Sequence, residues 1–323
     1  MWSRRSRAIA IGAALLFVAG GAAAPLCGPA LDWGNETHRF ILWELRVPRA
    51  ALGLVAGAAL AAAGVVMQAI LRNPLATPYT LGVSSGSALG VVLAVALGIE
   101  RLVQPLVALP LVGMAGASLV IALTYRVARV RGRLPAPTLL LAGVALTYTF
   151  SALILAVQYT STPEDALRIL RWLVGSLESG YGLRAVAIVG VAAATGIACL
   201  APLGRAFNAL AGGEESAMGV GVDVERVVRR AYLGSSLMVG AVVAFVGPIG
   251  FIGLLVPHTL RLLGLADNRL LLPASALAGG GFLALCDGLS NFMSEPHLPV
   301  GVLTHLLGGP FFLLILLREK QRM

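Results

Sequence analysis

Long apolar runs near 20 residues alternate with short polar breaks along the whole chain. Ten runs stand out, at 8–26, 47–71, 81–98, 105–125, 138–159, 184–202, 231–246, 250–264, 270–286 and 300–317. A helix rises about 1.5 Å per residue, so runs of this order cross a hydrocarbon core of roughly 30 Å. The pattern predicts an all-α polytopic membrane protein of about ten transmembrane helices, forming one transmembrane domain over 1–323. The break at about 203–230 is long enough to carry structure of its own.

The second run is the most informative. It opens at Arg46-Val47-Pro48-Arg49 and carries Gly53, Gly57, Ala61 and Gly64 at helical spacing. Such a small-residue face lets helices approach closely. Gln68 follows on the same face and either lines a pathway or bonds a neighbouring helix. The run stops in Arg72-Asn73-Pro74-Leu75-Ala76-Thr77-Pro78, and the next run begins at once. Backbone leaves helical geometry at membrane depth only where protein or a water-filled cavity satisfies it.

Composition strengthens this reading. Hydrophobic residues make up 58% of the chain and charged residues 12%, which excludes a soluble domain of this size. With both termini cytoplasmic, 17 of the 24 basic residues fall on cytoplasmic loops, whereas nine of the 15 acidic residues fall outside. That Lys/Arg asymmetry sets orientation and favours an even number of spans. The high isoelectric point therefore reflects membrane topology. No aromatic-interleaved basic patch suggests nucleic acid. The N-terminal MWSRRSR and its apolar run read as an uncleaved first span, because Leu26 precedes Cys27 where a lipobox places a small residue. Cys27, Cys199 and Cys286 lack metal-ligand spacing and read as small buried residues.

Two alternatives come from motifs. Gly82-Val83-Ser84-Ser85-Gly86 matches the G-x-S-x-G nucleophile pattern, so an intramembrane hydrolase using Ser84 is a remote reading. The pattern carries chemistry only on a strand–turn–helix elbow, and here it opens an apolar helix. An ion-coupled secondary transporter is the nearer alternative. Such carriers bury ionisable groups in their spans, whereas only Asp287 sits near a span end. A phosphate-binding G-x-x-x-x-G-K-[ST] loop needs a lysine, and the single lysine is Lys320 in the tail. Neither engine is visible, which points to a partner. Gly213–Val222 reads as a short helix with Glu214 and Glu215 in its first turn, suited to its dipole, or as a solvated loop. As a helix it is a docking element for a soluble partner. The Gly/Pro breaks at 245–258 allow a tight outer turn and a short eighth span, and both this stretch and the last run read as structural.

Several ordered blocks together resemble the FecCD-type permease family, the membrane subunits of type II ABC importers for iron–siderophore complexes, haem and cobalamin. They are RVPR at 46–49, GAALAAAGVVMQ at 57–68, NPLATP at 73–78, LGVSSGSALG at 81–90, LLLAGVAL at 139–146, GEESAMGVGV at 213–222, GPIGFIGLLVPHTLRLLG at 247–264 and LPVGVLTHLLGGPFF at 298–312. The resemblance implies a homodimer in the cytoplasmic membrane of a prokaryote, surrounded by lipid, with the path on its two-fold axis. It also implies two ATP-binding-cassette subunits and an extracytoplasmic binding protein. ATP and Mg are used by the ATPase; this chain would hold no cofactor or metal and catalyse no reaction. Arg46 and Arg49 match arginines that dock the binding protein. Asn73 and Leu75 match a cytoplasmic gate, and Thr138 lies where a second gate element occurs. Glu214, Glu215, Ala217 and Gly221 match the helix that couples to the ATPase. Two positions depart from the family pattern: Asn291 stands where an arginine usually follows Asp287, and His297 stands where a glutamate precedes Leu298. Arg168 and Arg171 are then candidate docking or substrate contacts, or interface residues snorkelling beside Trp172. Family breadth ranks the cargo as iron–siderophore, then haem, then cobalamin.

Overall fold

The computed structural model describes residues 4–29, 32, 34–99, 105–177, 182–293 and 298–320. Every one of the ten apolar runs forms a helix. They are α1 (Arg4–Ala23), α3 (Val47–Leu71), α4 (Val83–Ala96), α5 (Pro105–Ala128), α6 (Ala136–Thr160), α8 (Gly182–Leu200), α11 (Val224–Val246), α12 (Ile252–Leu262), α13 (Asn268–Phe292) and α14 (Val300–Lys320). Four shorter α-helices, α2 (Glu36–Phe40), α7 (Pro163–Leu173), α9 (Gly204–Ala211) and α10 (Glu214–Gly219), lie between them, together with short 3-10 and π-helical turns. Among the described residues no named strand occurs.

Among the described residues, seven helical stretches are long and apolar enough to cross a membrane. Three of the ten expected spans are shorter: α4, α12 and the apolar part of α14, Val300–Leu314. The 11 residues of α12 reach about 16 Å, half of a hydrocarbon core. Breaks on both sides shorten it. Gly247 (φ 68°) ends α11, Phe251 (φ 68°) caps α12 in the left-handed region, and Gly264 (φ 106°) ends it. A broken helix is tolerated where protein surrounds the freed backbone, and α12 packs along α3. Conversely, α11 starts seven residues before its apolar run. Asp223 caps it by accepting a hydrogen bond from the Arg226 amide at 2.9 Å, so its charged first turns, polar by hydropathy, are helical.

The core is built around α3. In its apolar stretch 78% of residues are buried, against 22% in α1 and 17% in the stretch containing α8, which places α3 at the centre and α1 and α8 at the rim of the bundle. The predicted small-residue face makes the central contacts. Gly57 faces Gly279 of α13 and Gly64 faces Gly253 of α12; a Cβ added to either would lie 2.3 or 1.9 Å from the opposing carbonyl oxygen. Helix backbones therefore touch at these points, which is how association proceeds without a hydrophobic driving force.

The amphipathic α7 was not expected as a helix. Thr162 accepts a hydrogen bond from the Asp165 amide at 3.2 Å and donates to the Asp165 carboxylate at 2.9 Å, a cap that starts it. Ile169 is buried against α4 and α6, while Leu167 and Leu170 remain exposed. A helix with one charged and one apolar face suits a membrane interface. Beyond it the chain threads between two other elements: Ser176 donates its amide to Val246 at 2.9 Å, and Gly175 accepts from the Gly301 amide at 3.1 Å. Before α13, Arg269 and then Asn208 hydrogen-bond the Asp267 carboxylate and hold it well below the usual carboxylate range. The three cysteines are free thiols, and only Cys286 is buried as expected; Cys27 is half-buried and Cys199, on the rim helix α8, is exposed.

Candidate functional site

The two ends of α3 carry most of the candidate residues. At its start, a π-helical turn over Ile41–Arg46 leads into α3. Arg46 donates from Nη2 to the Pro29 carbonyl at 3.0 Å. Arg49 grips Asp287 of α13 with both prongs of its guanidinium: Nε lies 2.8 Å from Oδ2 and Nη2 lies 2.8 Å from Oδ1. The Arg49 side chain is 21% exposed and that of Asp287 only 2%, so the pair is largely removed from water. Asn291, one turn on, also hydrogen-bonds the Asp287 carboxylate. The arginines are thus held by their own chain. A bidentate pair of this kind is strong and geometrically specific. Position 297 lies outside the described residues.

Arg168 and Arg171 stand on the exposed side of α7. Arg168 lies 3.9 Å from Asp165, one turn earlier. This arrangement is that of an interfacial helix with its charges turned outward.

At the other end of α3, Gln68 is buried and bonds α12 through both ends of its amide. Nε2 donates to the Gly253 carbonyl at 3.2 Å, and Oε1 accepts from the Arg261 guanidinium. Of the two readings left open for Gln68, the geometry is that of an interhelical bond. The helix then closes in a Schellman motif, with the Asn73 amide on Gln68 O at 3.2 Å and the Arg72 amide on Ala69 O at 3.4 Å. The left-handed position of that motif ordinarily takes glycine. Here it holds Arg72, at φ 49°. The Asn73 side chain accepts from the Leu75 amide at 2.9 Å, an Asx turn that fixes the bend and leaves Leu75 46% exposed at its tip. Where the chain restarts, the Tyr79 hydroxyl donates to the Ile249 carbonyl at 2.7 Å. The bend is therefore tied to the α11–α12 turn.

The acidic helix α10 docks onto this bend. Glu214 Oε1 lies 2.8 Å from Arg72 Nη2, across 142 residues of sequence. Glu215 is exposed. Ala217 is fully buried and accepts through its carbonyl from the Val222 amide at 3.0 Å, while Gly221 donates to Met218 O at 2.9 Å. This is a second Schellman closure, with Gly221 (φ 82°) at its left-handed position. Met218 and Val220 project outward, 49% and 73% exposed, and sequence reasoning passed over both. A cavity of about 410 Å³ runs between α10 and the starts of α6 and α11, lined by Ile70, Pro135, Glu214 and Val228 among others. Thr138, half-buried, sits in the first turn of α6 just beyond Pro135.

Ser84 lies in the first turn of α4, half-buried. A 3-10 turn, Pro78–Leu81, precedes it instead of a strand, so the elbow required for a serine nucleophile is absent at that point. Gly86 packs on Gly116 of α5, 2.7 Å separating its added Cβ from that carbonyl oxygen. Small residues here serve helix contact.

A bundle of apolar helices around one central span, whose end is tied by an ion pair to a short acidic helix, suits a transport permease. The model of the FecCD transport family matches residues 8–318, and the chain belongs to that family. It is 41% identical over 90% of its length to the vitamin B12 import system permease protein BtuC of Yersinia enterocolitica, covering 85% of that protein. The cobalamin import system permease protein BtuC of Halobacterium salinarum is 39% identical over 88% of this chain and 75% of its own. The uncharacterized ABC transporter permease protein YvrB of Bacillus subtilis is 40% identical over 91% of this chain and 83% of its own. A solved structure described as an inward-facing metal-chelate type ABC transporter superposes with a TM-score of 0.85 at 30% identity, covering 96% of this chain and 99% of that one. This chain is accordingly a multi-pass membrane protein and an ABC importer permease, a transport subunit rather than an enzyme.

Proposed function

We propose that this chain, as a homodimer in the cytoplasmic membrane, passes a bulky corrinoid or related metal chelate inward, driven by ATP hydrolysis in two partner subunits. Cobalamin heads the cargo order in place of iron–siderophore, because relatives about 40% identical over most of the chain bear the cobalamin import name. In this reading both termini are cytoplasmic. Arg46 and Arg49 lie at the outer end and meet acidic groups of a binding protein. Asn73, Leu75 and Thr138 gate the inner end, and α10 enters the ATPase. Charge pairs of the docking kind speed and orient encounter more than they deepen affinity. Because Arg49 already holds Asp287, docking through it requires a shared or exchanged carboxylate.

The observation that carries the reading is the Arg72–Glu214 ion pair. It links the partner-facing helix to the bend that follows the central span, so a push on α10 acts on the gate directly. Exposed pairs contribute little to stability, roughly 0–1 kcal/mol. Its proposed role is mechanical coupling, and stability and coupling can be separated. Glycine at position 72 suits the left-handed backbone and removes the ion pair. Arg72→Gly is expected to leave the thermal midpoint equal or higher and to lower transport per ATP hydrolysed by several-fold. Transport lost only in proportion to ATPase binding would count against the link. Glu215→Arg, on the exposed flank of α10, is expected to weaken co-purification of the ATPase while the spans stay folded.

A further inference from the structure

A cavity of about 530 Å³ opens between α1, α12, α13 and α14. Its walls include Ile9, Gly12 and Leu16 of α1, Phe282 of α13 and Phe311 of α14. The hydroxyl of Thr259, which also lines it, is already spent on the Leu255 carbonyl at 2.8 Å. The trough therefore offers no open polar group from that residue and behaves as an apolar slot. It lies on the rim of the bundle. A Cβ added at Gly12 would meet nothing within 4 Å, and the neighbouring Ile11 and Leu15 are 60% and 64% exposed. From Ile9 to Leu16 it runs about 10 Å along α1.

One end of the trough is cationic. Arg5 lies one helical turn before Ile9, and its Nε is 3.4 Å from where a Cβ of Gly264 would stand, just past the Leu263 wall. Arg4 and Arg7 flank it; all three are exposed, and among the described residues none has an ion-pair partner. Apolar residues begin immediately after Arg7, so these guanidinium groups sit at the boundary between hydrocarbon and headgroups. A membrane-level slot that ends in exposed arginines has the shape and charge of one ligand class. An acyl chain fills the apolar part and an anionic headgroup meets the cations.

We propose that this trough is a binding site for an anionic phospholipid, with an acyl chain between α1 and α14 and the phosphate at Arg5. The proposal is independent of the cargo and of the ATPase reading. The test uses the full chain reconstituted in nanodiscs of mixed phosphatidylcholine and phosphatidylglycerol, followed by native mass spectrometry of retained lipid and of oligomeric state. The wild-type chain should retain phosphatidylglycerol in excess of its bulk share. Gly12→Leu fills the trough from a position with room for a side chain, and should lower that retention about tenfold, the equivalent of 1.4 kcal/mol. Arg5→Gln, an exposed change, should leave lipid retained but erase the preference for phosphatidylglycerol. Retention in bulk proportion by the wild-type chain would overturn the proposal, as would unchanged retention in Gly12→Leu. A change of oligomeric state in Gly12→Leu without loss of lipid would identify the trough as a contact between copies and equally overturn it.

Discussion

Gly64→Leu abolishes the native bundle. The α-carbon of Gly64 lies so close to α12 that a Cβ would stand 1.9 Å from the Gly253 carbonyl oxygen and 2.7 Å from its Cα. Both are backbone atoms, so no side-chain rotation relieves the overlap. Leucine must push α12 away from α3, which also breaks the Gln68 hydrogen bond to Gly253 and the contacts made by Arg261. Overpacking typically costs about 1–3 kcal/mol, and a clash between helix backbones lies above that range. Helix association in a membrane rests on close packing, so separation at this point removes the interaction that holds the short α12 in place. The expected result is aggregation on extraction, or a collapse of the detergent unfolding midpoint. Gly12→Ala is the matched control. With nothing within 4 Å of its added Cβ, it should be neutral, or slightly stabilising through helix propensity of up to about 1 kcal/mol.

Removing either member of the Arg49–Asp287 pair is the second large effect. The two groups are joined by two short hydrogen bonds and sit mostly out of water. Taking away one partner leaves the other charge desolvated, at a cost of about 3–5 kcal/mol. Replacing both by apolar residues of similar size is often neutral or stabilising. Arg49→Met and Asp287→Leu should therefore each destabilise strongly, while the double variant recovers most of the loss. A double-mutant cycle on unfolding midpoints measures this, and additive losses would show that the pair contributes nothing. The double variant also separates two roles of Arg49. If it folds yet no longer recruits the binding protein, the arginine serves docking as well as the α3–α13 contact.

Much of the fold was legible in hydropathy alone, because the membrane imposes a simple rule on backbone hydrogen bonding. All ten apolar runs became helices, and the small-residue face of α3 packed as its spacing implied. Hydropathy failed where helices are not apolar. It missed α7, whose charged face obscures its period, and the charged start of α11, which a capping aspartate secures. The Gly/Pro breaks did signal a short eighth span, and α12 is short, bounded by left-handed residues at 251 and 264.

The ion pairs at the two ends of α3 were not legible as pairs. Topology from charge put Arg49 and Asp287 on one face of the membrane and Arg72 and Glu214 on the other. Each pair does meet, across 238 and 142 residues respectively. Nothing in a single sequence announces contacts at such separations. Asp287 carried a faint signal, being an acid next to an apolar run. Arg72 carried none, since its positive φ follows from the Schellman closure and not from its residue type.

The most direct measurement reconstitutes the purified chain in proteoliposomes with its ATPase and binding protein and follows radiolabelled cobalamin uptake. The account predicts accumulation that requires ATP, the ATPase and the binding protein, and that an uncoupler of ion gradients leaves intact. Uptake that persists without the ATPase and disappears with the uncoupler would contradict it.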